Sequence, residues 1–371
     1  MKFLNLDGRV NLTAQHGILL HFNMAERGLR LLRKLGLVDN RHQFQRTHLG
    51  ILVPLTRMPT ENESMLIREQ IGEVKTQLAS FEETKEIVRT LQASLRGRIP
   101  DGLIAKLPKS FDVIGDIAVV DLPEGLEQYS EVIGQGVMRI NQHVRLALRR
   151  SSQVEGTFRT RKLEVMAGGG GTETVHSEFS CRYQLDALTV YFNSRLSRER
   201  IRIARQVMPK ESVVDMFAGV GPYSILIARQ QPTSTVYSVD INPSAVMYLK
   251  ENIFANRVAD RVIPMLGDVK ELAQMKLRGI ANRVIMNLPS EASSYLSAAS
   301  LILKGEGGMI HFYAFAGRDE NLETMVKSFR LTVESQGRKL ESVRFCKVIK
   351  EVAPNRVQVA IDAFVGARIP R

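Results

Sequence analysis

Two spacings of apolar residues alternate along the chain, one suited to helices and one to strands. Between Met24 and Leu37, Leu29, Leu32 and Leu35 share one side of a helix while Arg27, Arg30, Arg33 and Lys34 face away. Leu49 to Leu55 reads as a strand closed off by Pro59, so residues 1–60 form a small α+β unit. From Glu61 to Leu95, the positions Ile67, Ile71, Val74, Leu78 and Phe81 step by alternating fours and threes. That spacing predicts one long amphipathic helix, a linker over 61–103 that the run Arg96 to Gly102 interrupts.

A second unit is expected over 104–185. Phe111 to Val120 reads as a hairpin or strand with a bend at Gly115, and Leu126 to Arg149 as mainly helical, ending in Arg145, Arg149 and Arg150. Gly168 to Gly171 reads as a flexible loop. The strand after it places His176 and Glu178 on one side, because alternate residues of a strand share a face. Tyr191 to Arg200 leads into a helix on which Glu199 and Arg200 are equally a pocket rim or a surface pair.

Over 186–371 short apolar runs alternate with helical stretches, the pattern of an α/β fold with a parallel sheet. Strands are expected at Val213 to Met216, Thr235 to Asp240, Val262 to Leu266, Arg283 to Met286 and Gly308 to Phe315, with an edge pair at Leu340 to Val348 and Val357 to Phe364. The first ends in Asp215, then Phe217 and a turn with Gly219 and Gly221, then a helix from about Tyr223 to Arg229. Successive strand ends carry Asp215, Asp240, Gly267 with Asp268, and Asn287. In an open parallel sheet those ends line the ligand crevice.

The glycine turn suits either a dinucleotide or S-adenosylmethionine. Ser224 stands where a dinucleotide fingerprint wants its third glycine, which favours the methyl donor. Asp215 is placed for the donor's ammonium group, and Asp240, 25 residues on, for two ribose hydroxyls.

The charge sharpens this picture. With 51 Lys and Arg against 39 Asp and Glu, the chain carries +12, which suits a polyanionic partner. The densest basic run, Gly156 to Lys162, interleaves Phe158 with Arg159 and Arg161, a mixture that stacks on and pairs with nucleotides. Two cysteines and no metal-binding spacing predict no metal, and no apolar run spans a bilayer. A soluble cytoplasmic protein is expected.

The segments Phe158 to Glu164, Thr172 to Glu178, Tyr191 to Arg200, Asp215 to Pro222, Asp240 to Pro243 and Asn287 to Pro289 together resemble the archaeal-type tRNA (guanine-37) N1-methyltransferases. The resemblance covers roughly residues 105–371, and the first 60 residues match by pattern. It implies a class I, Rossmann-like methyltransferase sheet (186–371), an α+β RNA-binding middle domain (104–185) and a small N-terminal domain that touches the tRNA elbow. The anticodon loop would deliver guanosine 37, S-adenosylmethionine would supply the methyl group, and the protein would act as a monomer.

By that match, Glu178 is the general base, Asn287 orients the purine, and Arg159 or Arg161 meets the guanine carbonyl oxygen. Arg200, Asp240, Ile241 and Asp268 fall at donor positions, joining Asp215, Phe217, Gly219, Gly221, Gly267 and Asn287. The family usually has Asn-Gly after the base, where this chain has Phe179-Ser180.

The chemistry needs such groups. Guanine N1 holds a proton above neutral pH, so a base must remove it, and desolvation would strengthen a carboxylate for that task. Two rivals share the fold: aminocarboxypropyl transfer to a wyosine precursor at the same position, and methylation of that precursor. A third, of another class, is a non-catalytic RNA-binding module.

Overall fold

The computed structural model describes residues 12–82, 90–151 and 162–368. The chain divides into two compact units, Met1–Val88 and Arg89–Arg371. The first contains β1 (Leu12–His21), α1 (Ala25–Lys34), β2 (Gln45–Arg46), β3 (Gly50–Pro54), α2 (Glu61–Ile71) and β4 (Lys75–Glu82), with an antiparallel sheet ordered β2-β3-β1-β4. Leu31 and Leu32 of α1 face the sheet beside Ile18, Leu20 and Val53, and the basic face of α1 is exposed.

The long helix expected over 61–95 is not there. Thr60 and Glu63 form a reciprocal cap at the start of α2, Ile67 and Ile71 are buried, and the helix stops at Gly72. The chain then returns as β4 along β1, with Phe81 buried and Leu78 exposed. Four-three spacing over five apolar residues fits a helix, but pairing with β1 satisfies the backbone of 75–82 and wins. The boundary between the units falls near residue 88, and among the described residues no continuous helix spans 61–103, because Lys75–Glu82 is a strand.

The second unit opens with α3 (Leu91–Leu95) and α4 (Asp101–Ile104). These precede β5 (Asp112–Ile114), β6 (Ile117–Val120), α5 (Ser130–Ile140), β7 (Leu146–Arg150) and β8 (Leu163–Gly168). The four strands form a sheet in the order β5-β6-β7-β8. Leu91, Leu95 and Ile99 pack with Ile133 and Val137 against one face of it, so this segment belongs to the middle region's core. The helix expected over 126–149 ends at Ile140, and Leu146–Arg150 is a strand paired with β6 and β8.

The other face of that sheet joins a core that runs without a break into the C-terminal region. Ile117, Leu146 and Leu148 share it with Tyr183 and Leu185 of a hairpin, β9 (Glu173–Glu178) and β10 (Cys181–Asp186), and with Ile225 and Leu249.

Next come α6 (Ser197–Ala204), β11 (Ser212–Asp215), α7 (Pro222–Gln230), β12 (Thr235–Asp240), α8 (Pro243–Ala255), β13 (Val262–Leu266), α9 (Val269–Met275) and β14 (Arg283–Met286). The chain closes with α10 (Leu296–Ile302), β15 (Gly308–Gly317), α11 (Leu322–Ser335), β16 (Arg338–Ala353) and β17 (Arg356–Arg368).

The seven strands run in the order β13-β12-β11-β14-β15-β17-β16. The first five are parallel, and β17 is antiparallel to both β15 and β16. Val213, Val214, Val236, Val239, Val284 and Ile285 are fully buried, as strands covered on both faces require. This is the class I, Rossmann-like architecture expected. The order reverses at β11, which opens a crevice beyond the carboxyl ends of β11, β12 and β14. Among the described residues no helix is long and apolar enough to cross a membrane.

Candidate active site

The glycine turn after β11 is built around a buried acid. Asp215 has no exposed surface; its Oδ2 accepts from the Ser224 hydroxyl at 2.9 Å. Its Oδ1 has no partner among the described residues. Burial pushes the carboxyl up to about 7, with Ser224 and the Phe217 N–H opposing and the charge of Asp240 adding. A buried acceptor without a partner marks a place where a ligand donor belongs, so the site suits the ammonium group assigned to it.

Ser224 was read from sequence only as an argument against a dinucleotide. Its role in orienting Asp215 follows from the first turn of α7 bringing position 224 back over the end of β11.

Gly219 and Gly221 hold φ of 55° and 91°, values that side chains rarely adopt. A Cβ on Gly221 would meet Leu249 at 2.5 Å, whereas above Gly219 the nearest atom would be the Tyr191 carbonyl oxygen at 3.7 Å. The turn is therefore packed beneath and open above, as a ligand lying over it requires.

Asp240 accepts from Gly219 N at 2.7 Å and from Asn242 N at 2.9 Å. Burial raises its pKa, and the N–H groups of Asn242, Gly219 and Ile241 oppose that. Asp268 accepts from Lys270 N at the start of α9, and Gly267 N donates to the Asp240 carbonyl at 3.0 Å. Ile241 is exposed, Phe217 lies edge-on to Tyr295 at 5.0 Å, and Asn287 follows β14 with its Oδ1 3.5 Å from Gln358 Nε2. The strand-end residues read from the sequence all occupy the strand ends expected.

Glu178 ends β9 and points inward, with 6% of its side chain exposed. Arg200 of α6 grips it with a fork: Nε donates to Oε1 at 2.6 Å and Nη2 to Oε2 at 2.7 Å, while Nη1 donates to the Asn193 carbonyl. His176, on the same face of β9 as foreseen, places Nε2 3.6 Å from Oε2. Burial pushes the Glu178 carboxyl up, but the His176 and Arg200 contacts outweigh it and hold the group below its ordinary range. In the chain without RNA these contacts outweigh burial; the desolvation expected when RNA closes over Glu178 belongs to the complex.

Arg200 has 2% of its side chain exposed, and its guanidinium is committed to Glu178 and the Asn193 carbonyl. Glu199 and Arg200 do not form a surface pair. Glu199 is buried, accepts from Tyr313 Oη at 2.7 Å and pairs with Arg202, which continues to Asp362 and His311. Adjacent charges on a helix give no sign of which buried partner each will find.

The segment between β10 and α6 connects the two halves of the site. The Thr189 carbonyl accepts from Asn242, the Tyr191 carbonyl lies over Gly219, and the Asn193 carbonyl accepts from Arg200. Tyr183 Oη donates to the Pro222 carbonyl at 3.3 Å, tying β10 to the start of α7. Glu178 thus shares one supporting framework with the glycine turn.

Phe158, Arg159 and Arg161 lie outside the described residues. The other basic cluster is not at a helix end and is not free. Arg145 pairs with Asp116 at 2.8 Å, Arg149 with Glu164, and Arg150 with Asp112 and Asp121. Arg145 also donates to the carbonyls of Gly169, Gly171 and Glu173, which organises the loop expected to be flexible. Among the described residues no group of three or more His, Cys, Asp or Glu side chains is arranged to hold a metal.

Comparison with known proteins agrees with this geometry. The family model described as the TRM5/TYW2 methyltransferase domain matches residues 174–341, and one described as the TYW2 N-terminal domain matches residues 91–172. The tRNA (guanine(37)-N(1))-methyltransferase Trm5b of Pyrococcus abyssi is 36% identical over 333 residues, covering 90% of this chain and 94% of that protein.

A solved complex of aTrm5 with tRNALeu superimposes with a TM-score of 0.76 at 28% identity, covering 94% of this chain and 99% of that one. M. jannaschii TYW2 in complex with AdoMet superimposes at 0.55 and 27% identity, covering 70% of this chain and all of that one. The TRM5/TYW2 domain match and a 36% identical relative matched over nearly the full length of both chains place this protein in the family of TRM5-type tRNA (guanine(37)-N(1))-methyltransferases.

Proposed function

We propose that this chain transfers the methyl group of S-adenosylmethionine to N1 of guanosine 37 of tRNA, acting as a cytoplasmic monomer on the anticodon loop. The observation that carries the reading is Glu178: an ionised carboxylate, buried and oriented by Arg200, on a hairpin braced against the glycine turn. The donor would lie over Gly219, with its ammonium group at Asp215, its ribose hydroxyls at Asp240, and its base near Ile241, Gly267 and Asp268. Phe217 would close the side toward Tyr295.

In this arrangement the target base leaves the loop and enters beside Glu178, which takes its N1 proton. Negative charge then grows on the guanine carbonyl oxygen. Arg159 or Arg161 would stabilise it there more in the transition state than in the ground state. Asn287 both donates and accepts, so it can hold the purine edge in line with the methyl group. The fixed positions of Glu178 and the donor turn replace solvent reorganisation with preorganised geometry.

Aminocarboxypropyl transfer to a wyosine precursor is the second reading, favoured by the match of residues 91–172 to the TYW2 N-terminal domain. The match to Trm5b weighs against it, because 90% of the chain cannot be covered without entering the N-terminal unit. Incubating the protein and labelled donor in turn with unmodified tRNA transcripts and with tRNA carrying the wyosine precursor, then weighing the nucleosides, separates the readings. A mass gain of one methyl on guanosine 37 is expected; an aminocarboxypropyl adduct, or no product at saturating donor, overturns the proposal.

A further inference from the structure

The contacts of Glu178 raise a question of chemistry: a carboxylate already gripped by an arginine fork must still offer one lone pair to the proton it removes. Each carboxylate oxygen has two lone pairs. On Oε1 the described residues supply one donor, Arg200 Nε; on Oε2 they supply Arg200 Nη2 and face it with His176 Nε2.

The state of His176 is set from behind. Gly115, in the turn between β5 and β6, donates its backbone N–H to His176 Nδ1 at 3.2 Å. A backbone N–H can only donate, so Nδ1 must be the bare nitrogen and the ring proton must sit on Nε2. That proton faces Glu178 Oε2 across 3.6 Å. The separation exceeds a hydrogen bond, in the way that catalytic contacts are often long before substrate binds.

Hydrogen bonds tie this turn closely to β9. Gly115 sits at φ 57°, where a Cβ would collide with Thr174 Oγ1 and the Val175 carbonyl. Asp116 N donates to Thr174 Oγ1, and that hydroxyl donates to Asp116 Oδ1 at 2.7 Å. The Phe192 ring lies 5.0 Å from the His176 ring and 5.2 Å from the Arg200 guanidinium, holding both donors on their target.

We infer that His176 is a positioning residue for the base: locked with its proton on Nε2 by Gly115, it occupies the second lone pair of Glu178 Oε2 and leaves Oε1 as the atom that receives the guanine N1 proton. The inference rests on the reading of Glu178 as the base. The groups that bear on Glu178 are Arg200 from α6, His176 on its own strand, and Cys181 and Tyr183 on β10. The two on β10 remain neutral in the working range, because burial raises both.

The test is the pH profile of single-turnover methyl transfer to an unmodified tRNA transcript, for wild type, His176→Phe, His176→Gln and Glu178→Gln. Phenylalanine keeps the ring against Phe192 but removes the donor, so the acid limb is expected to move to higher pH. The rate should fall several-fold at the acid end and change little at high pH, with unchanged affinity for S-adenosylmethionine. Glutamine can still donate and should return the limb toward wild type.

A uniform rate loss at every pH for His176→Phe, without movement of the limb, overturns the inference while leaving Glu178 as the base. A near-normal rate for Glu178→Gln removes both. Nitrogen-15 NMR of the wild-type imidazole gives an independent reading without any variant: proton coupling at Nε2 alone is expected, and coupling at Nδ1 alone overturns the assignment.

Discussion

Asp215 is expected to make donor binding a proton-release reaction. Its carboxyl is lifted to about 7 from an ordinary 3.8, chiefly by burial, so below that pH the free protein holds it neutral. A neutral carboxyl cannot pair with an ammonium group, so the donor must displace the proton. Each pH unit below the raised value then costs about 1.4 kcal/mol, or tenfold in affinity. Between about pH 7 and pH 5 affinity for S-adenosylhomocysteine should fall about 50-fold, and well above the raised value it should level off.

Titration calorimetry at about pH 6, repeated in buffers of different ionisation enthalpy, counts the proton: close to one is expected to leave per ligand bound. Asp240 is also raised by burial, so the Asp215→Asn variant separates the two, and it should bind weakly with a nearly flat profile. Affinity constant within twofold across this range, with no proton exchanged, would refute the assignment of Asp215 to the ammonium group.

Stability without ligand runs the opposite way. The folded chain keeps this proton between about pH 4 and pH 7 while the unfolded chain has lost it, so stability without ligand declines as pH rises through that window.

Other outcomes follow from the same geometry. Glu178→Gln should lower single-turnover transfer by about 10²-fold or more with donor affinity unchanged, measured by rapid quench and calorimetry; a normal rate would clear Glu178 of any part in the reaction. Phe179 and Ser180 both sit at positive φ, 47° and 61°, in the turn joining β9 to β10. Replacing them with Asn-Gly should stabilise the protein by about 1–2 kcal/mol, seen as a higher melting midpoint, and an unchanged midpoint would show that the turn carries no strain. Replacing Arg145, Arg149 and Arg150 together with Gln should leave the slope of log K for tRNA against log salt close to wild type, because each already faces a carboxylate. A slope shallower by about 3 would show that all three bind phosphate.

Much of the C-terminal architecture could be read from residue order. The central strands β11 and β14 are short buried apolar runs closed by Asp215 and Asn287, and burial on both faces leaves such a segment little else to become. The hairpin at Gly115 and the shared face of His176 and Glu178 were legible for a similar reason, since local turn chemistry and a period of two decide them.

What stayed hidden depends on partners far along the chain. Lys75–Glu82 is a strand only because β1 lies beside it, and Leu146–Arg150 only because β6 and β8 flank it. Arg150 reads as a free cation until Asp112 and Asp121 arrive from 38 and 29 residues away. Arg200 gives no sign of its partner until folding turns Glu178 toward it. A one-dimensional pattern records what a residue prefers, and pairing across space decides which preference is met.

The interlock between Gly115, Asp116, Thr174 and His176 also limits how the molecule can be recombined. A chimera whose crossover falls between residues 116 and 174 would combine a turn from one parent with a hairpin from another, and the lost fit would be felt at the glutamate. Segments exchanged between relatives should therefore travel as one cassette from Asp112 through Asp186, carrying both sides of the lock together.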